Sequence, residues 1–176
     1  MIRHLTLADY VTMPWANGRG QTVQMLRLDA ADGSLLLRLS MASVVEDGPF
    51  SIFPGVERNL TVISGPGFDL GGDVALRADP MIPVAFPGDV AVEAVGVIGP
   101  SEDFNVMTSR GLRVPDVRVV SDTTLTPPYR GSLCLFALGE ALVEGRTMAP
   151  RDLLITREKA RLLGGPVIAV GVSLRL

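Results

Sequence analysis

The punctuation of this chain constrains its fold more than any other feature. Short apolar runs are interrupted at Gly48-Pro49, Pro54-Gly55, Gly65-Pro66-Gly67, Pro87-Gly88-Asp89, Pro127-Pro128 and Gly164-Gly165-Pro166. Glycine and proline at such spacing break helices and build tight turns, so most segments between them suit strands. Within the runs the pattern has a period of two. From Leu35 to Ala42 the odd positions are apolar, while Arg38, Ser40 and Ala42 share the other face. Strands are predicted at 35–42, 59–64, 67–70, 90–97, 104–108, 117–125, 132–138, 153–157 and 167–175, after one helical turn over 5–11 capped by Thr6. The stretch 152–163 fits either an amphipathic helix or strands.

A weak internal repeat favours strands there. Asn59 to Gly65, then Gly67-Phe68-Asp69-Leu70, then Phe86-Pro87-Gly88-Asp89-Val90-Ala91-Val92 have counterparts in Ser132 to Gly139, Glu140 to Val143 and Ala149-Pro150-Arg151-Asp152-Leu153-Leu154-Ile155. Each copy reads strand, glycine turn, strand, then a Pro-x-Asp turn into another strand. Evenly spaced short strands of this kind suggest a sandwich or barrel, and two copies suggest a duplicated one. Pro127-Pro128 is the natural seam, dividing the chain into 1–126 and 127–176.

Charge and composition exclude several classes. The net charge is −3, Lys159 is the single lysine, and no basic run occurs; a nucleic-acid partner is therefore not expected. No stretch approaches the roughly 20 apolar residues of a membrane span. The first residues lack the apolar core of a secretory signal. One cysteine, Cys134, lies within the apolar run Leu133 to Phe136, so no disulfide framework exists and a reducing, cytoplasmic setting is expected.

Three segments carry more specific information. They are Pro14-Trp15-Ala16-Asn17-Gly18-Arg19-Gly20-Gln21-Thr22, Asp47-Gly48-Pro49-Phe50-Ser51-Ile52-Phe53-Pro54-Gly55-Val56-Glu57-Arg58 and Gly99-Pro100-Ser101-Glu102-Asp103-Phe104-Asn105-Val106-Met107. In this order and spacing they resemble the HutD/Ves family, and the resemblance runs through essentially the whole chain. It implies an all-β double cupin, two RmlC-like jelly-roll β-barrels fused in one chain. It also implies a link to histidine utilisation, as a regulator or governor that senses an intermediate of the pathway. The chain departs from the family pattern at Ala16, where Lys is usual, and at Leu37, where Trp is usual.

Metal-dependent cupins converge two or three His and a Glu on a divalent ion. Here the only His is His4, remote in sequence from the predicted barrel strands, so neither a metal nor another cofactor is expected. The Ser/His/Asp and Cys/His catalytic arrangements fail for the same reason.

Arg58 is the leading binding residue. It follows a rigid Pro-Gly turn at the mouth of a predicted strand, and a guanidinium grips a carboxylate in bidentate fashion; the alternative is an ion pair with Glu57, Asp47 or Glu46. Asp103 and Asn105 flank Phe104 and share a strand face, where they would serve a polar ligand or else satisfy backbone groups after Gly99-Pro100. Trp15 and Asn17 supply an aromatic surface and an amide to a pocket, or act as a lid and a turn residue. Arg38 and Ser40 face either the pocket or solvent, and Glu46 and Asp47 read as rim or turn residues.

Three functions compete. The first is a non-enzymatic sensor of a small carboxylate such as urocanate or formylglutamate. The second is a metal-independent isomerase, epimerase or hydrolase using Asp103 or Glu57, and the third is a structural or partner-binding role with a homodimer interface. No catalytic constellation is visible, and binding of a small organic anion is favoured.

Overall fold

In a computed structural model, which describes residues 1–15 and 20–176, the described residues form 19 strands and one 3-10 turn. Among the described residues no helix is long and apolar enough to cross a membrane. The short turn, Leu7–Asp9, starts at Thr6, whose backbone N–H donates to Asp9 Oδ2 at 2.8 Å. The ambiguous stretch resolves into two strands, Leu153–Thr156 and Ala160–Gly164.

Two units emerge, Val11–Leu112 and Met1–Tyr10 together with Arg113–Leu176. The first has a six-stranded sheet in the order Val11–Pro14, Gln21–Asp29, Leu35–Val44, Ser101–Ser109, Val56–Ser64, Val84–Pro87. Its second sheet runs Gly48–Pro49, Val92–Val95, Phe68–Gly72, Leu76–Ala78. The inner faces of both contribute to one core that includes Leu60, Val62, Phe68, Leu70, Phe86, Val92 and Ala94.

The other unit repeats this plan. A five-stranded sheet runs Ile2–Leu5, Leu153–Thr156, Ser132–Ala137, Val167–Val172, Asp116–Val120, and a four-stranded one runs Thr124–Leu125, Ala160–Gly164, Ala141–Val143, Arg146–Met148. Its core gathers Leu133, Leu135, Val143, Met148, Leu154, Leu162 and Val167. Every residue of Ser132–Ala137 and Val167–Val172 is buried, which explains why these strands read as unbroken apolar runs rather than as alternation.

The sheets correct three expectations. The seam falls at Leu112/Arg113 rather than at Pro127-Pro128, because Asp116–Val120 pairs with Val167–Val172 and Thr124–Leu125 with Ala160–Gly164. His4 is not remote from a barrel: Ile2–Leu5 pairs with Leu153–Thr156, and His4 Nε2 lies 2.9 Å from Asp152 Oδ2. The repeat also aligns differently. Leu153–Thr156 lies beside Ser132–Ala137 as Val84–Pro87 lies beside Val56–Ser64, so Pro150-Arg151 corresponds to Pro80-Met81 and not to Pro87-Gly88. Met81 and Arg151 both take a positive φ, 65° and 74°. Met81 donates its N–H to Val62 O of Val56–Ser64 at 2.9 Å, and Arg151 donates to Ala137 O of Ser132–Ala137 at 2.7 Å.

Candidate functional site

Three neighbouring strands of the Val11–Leu112 unit build the site. Ser101–Ser109 lies between Leu35–Val44 and Val56–Ser64, and the register aligns side chains in rows across the sheet. Arg38, Met107 and Arg58 form one row, Ser40, Asn105 and Leu60 the next, and Ala42, Asp103 and Val62 the third. Residues two apart on a strand share a face. The inner face therefore grades from two guanidiniums, through an amide and a hydroxyl, to a carboxyl beside apolar neighbours.

Arg38, Ser40, Arg58, Asn105 and Met107 open onto a cavity of about 470 Å³ whose other walls include Trp15, Thr22, Phe50 and Phe53. That volume is in the range of small-molecule sites, about 300–1,000 Å³. Trp15 is half-buried, with its indole Nε1–H donating to Thr22 Oγ1 at 2.9 Å and its backbone N–H to Gly20 O at 2.9 Å. Asn17, and with it Ala16, lies outside the described residues.

Arg58 is 5% exposed. Its Nη2 donates to Asn105 Oδ1 at 2.9 Å and Nη1 reaches Ser51 O at 3.5 Å, while Nε has no partner among the described residues. Three rings surround the guanidinium, with centroids at 5.2 Å (Phe50), 5.7 Å (Phe53) and 5.1 Å (Phe86), close enough for cation–π attraction. The Pro-Gly segment brings these rings in: Phe53 N–H donates to Gly88 O and Gly88 N–H to Val56 O, each at 2.7 Å. Burial lowers the Arg58 pKa to about 10, against the attraction of Asp103 and with the repulsion of Arg38. The group stays a cation near neutrality.

Arg38 is drawn to the same cavity, not to solvent. Its Nε is buried without a partner among the described residues, and burial, followed by the charge of Arg27, lowers its pKa. Asp103 lies behind the cavity wall, fully buried. Its Oδ1 accepts from Asn105 Nδ2, and its Oδ2 has no partner among the described residues. Burial raises this carboxyl to about 7, opposed by Arg58 and the Asn105 hydrogen bond and assisted by Glu102.

Two of the acidic residues named as ion-pair partners for Arg58, Glu57 and Asp47, are used elsewhere. Glu57 meets Arg110 Nε at 2.5 Å, and Arg110 also grips Asp89 at 2.6 and 2.8 Å. Asp47 Oδ1 accepts the Val97 N–H at 2.8 Å. Glu46 and Asp47 line a smaller cavity of about 220 Å³ that shares Trp15, Val44, Pro49 and Phe50 with the larger one. Among the described residues no three His, Cys, Asp or Glu side chains converge as a metal set would require.

Sequence reasoning thus placed Trp15, Arg58 and Asn105 at one cavity, set Asp103 too far forward, and missed the rings of Phe50, Phe53 and Phe86. Two of those rings lie within the segment Asp47 to Arg58, so an aromatic at each side of Ser51-Ile52 was the available signal.

A family model described as HutD matches residues 7–168. Among solved structures the chain is similar to HutD from Pseudomonas fluorescens SBW25 (formate condition), with 28% identity, a TM-score of 0.87 and 100% of each chain covered. It is likewise similar to PA5104, a conserved protein of unknown function from Pseudomonas aeruginosa PAO1, with 29% identity, a TM-score of 0.82 and 98% of each chain covered. The bacterial pirin YhhW from Escherichia coli, solved with nickel(II), has 6% identity, a TM-score of 0.68, and coverage of 97% of this chain and 98% of its own. That last likeness is one of fold alone, and the fold is the cupin fold.

Proposed function

The chain belongs to the HutD family, and from that premise we propose that it is a non-enzymatic cupin protein whose Arg58 cavity binds a small organic anion. In this reading it senses a carboxylate intermediate of histidine breakdown, such as urocanate or formylglutamate, in the cytoplasm. One observation carries it: two guanidiniums, Arg58 and Arg38, meet in a single cavity with both Nε–H groups unpartnered among the described residues. A buried N–H of a charged group left without an acceptor is costly, and a carboxylate offsets that cost by accepting charge-assisted hydrogen bonds. The rings around Arg58 and the Trp15 indole suit a ligand with a planar or extended body.

The isomerase, epimerase or hydrolase reading needs a proton-transferring group that faces the ligand. Asp103 has a suitable affinity for protons but stands behind Asn105, and Glu57 is engaged by Arg110. Binding is favoured over turnover.

The test is a thermal shift with formylglutamate. At a hundred times its dissociation constant a native-state ligand adds about 2.7 kcal/mol, which raises the melting temperature of a chain this size by roughly 5–10 °C. Arg58→Met keeps an apolar stem among the three rings and should lose nearly all of the shift. A full shift in Arg58→Met, or none in the wild type with any small carboxylate, overturns the proposal.

A further inference from the structure

Arg58, Asn105 and Asp103 form one directed chain of hydrogen bonds. Arg58 Nη2 donates to Asn105 Oδ1 at 2.9 Å, and Asn105 Nδ2 donates to Asp103 Oδ1. The Asn105 amide has only one sensible orientation, because a flip would set its NH₂ against the guanidinium and its oxygen against the carboxylate. Asp103 is 0% exposed and has a second oxygen with no partner among the described residues. A carboxylate in that position is sustained as an anion only by nearby positive charge.

The sources of such charge are few. Arg58 faces it from Val56–Ser64, and Arg38 faces the same cavity from Leu35–Val44. Glu102, adjacent on its own strand, opposes ionisation. The second sheet contributes Phe68, Leu70, Ala78, Val92 and Ala94 to the shared core, none of them charged.

Resting on the reading that Arg58 takes an anion, we propose that Asp103 is the resident counter-charge of the site and takes up one proton from solvent when a carboxylate settles on Arg58. The charge balances: ligand anion plus proton enter together, the guanidinium stays protonated, and the Asp103 carboxylate becomes the neutral acid. Before binding, the cation stabilises ionised Asp103. After binding, the ligand screens that cation and ionised Asp103 becomes a second buried negative charge. Burial has already raised this carboxyl to about 7, and loss of the cation's support on binding carries it well above neutrality, so the complex keeps the proton through pH 8. Asp103 is thus a positioning residue, acting on the ligand through Asn105 and through charge, and it makes the site prefer its anion at lower pH.

The experiment is titration calorimetry with formylglutamate, whose carboxyls ionise well below pH 6, at about pH 4. The wild type should bind about tenfold more weakly at pH 8 than at pH 6, because the free site already holds most of the proton at pH 6 and little of it at pH 8 while the complex holds it throughout. At pH 7, two buffers of different ionisation enthalpy should report an uptake of roughly half a proton per ligand. Asp103→Asn should bind with an affinity independent of pH. If that variant does not fold, the carboxyl carbon resonance of Asp103 in the wild type gives the same information, its titration moving to higher pH with ligand. Binding that is pH-independent in the wild type, with no proton uptake, overturns the coupling and leaves the anion site standing. Absence of binding at every pH, by formylglutamate and by urocanate and other small carboxylates in its place, removes the site itself, and the coupling with it.

Discussion

Replacing Asp103 by Asn should alter how the stability of this protein depends on pH. The native carboxyl is held at about 7 against an ordinary 3.8, chiefly by burial. At about 1.4 kcal/mol per tenfold change in proton affinity, that difference is a linkage on the order of 4 kcal/mol. Native Asp103 keeps its proton to higher pH than the unfolded chain does. Its contribution is therefore fully present below about pH 4, is lost as pH rises, and levels off above about pH 7. Asn has no such proton to release, yet still offers an oxygen to Asn105 Nδ2. Any constant effect of the substitution, including the loss of a counter-charge for Arg58, shifts the variant's curve without changing its slope. The stability of Asp103→Asn relative to wild type should then grow by about 3 kcal/mol between pH 4 and pH 7. In melting temperature this is roughly 6–12 °C at 2–4 °C per kcal/mol. Urea unfolding followed by circular dichroism, both proteins measured at matched pH, reads it directly. Parallel curves for the two proteins would refute the reasoning.

Two further outcomes follow from side chains that occur once in the chain. Cys134 is fully buried and its thiol is pushed up to about 12, so Ellman's reagent at pH 8 should leave the native protein unmodified and label one thiol per chain in urea; rapid labelling of the native state would contradict this burial. Trp15 is the single tryptophan and lines the Arg58 cavity, so its emission should change as formylglutamate saturates the wild type. Binding seen by calorimetry with unchanged emission would place the ligand away from this wall.

How far the sequence reaches can be judged from particular elements. Alternation in Leu35 to Ala42 and the turns at Pro54-Gly55 and Gly65-Pro66-Gly67 determined that the chain is all-β and where several strands break, because side-chain period and turn conformation are local properties. The same locality put Asp103 and Asn105 on one strand face and Arg58 just after the Pro-Gly turn, and left open whether that face is turned inward. Gln21–Asp29 was not foreseen. It mixes Gln21, Gln24, Arg27 and Asp29 with apolar residues, and its pairing shifts register between Gln24 and Leu26, which breaks the period-two signal.

Tertiary structure alone decided the rest, because sheet neighbours are chosen by pairing between segments far apart in the chain. Ile2–Leu5 joins Leu153–Thr156 across the full sequence, and no local pattern announces such a partner. Alternation puts Arg38 and Ser40 on one face, but only the packing of the second sheet makes that face the interior. Two of the three rings around Arg58, Phe50 and Phe53, come from its own turn segment, but the third, Phe86, comes from the later strand Val84–Pro87. Asp103 and Asn105 share a face by sequence; which of them forms the cavity wall and which lies sealed behind it depends on depth within the barrel, a quantity fixed by the whole fold.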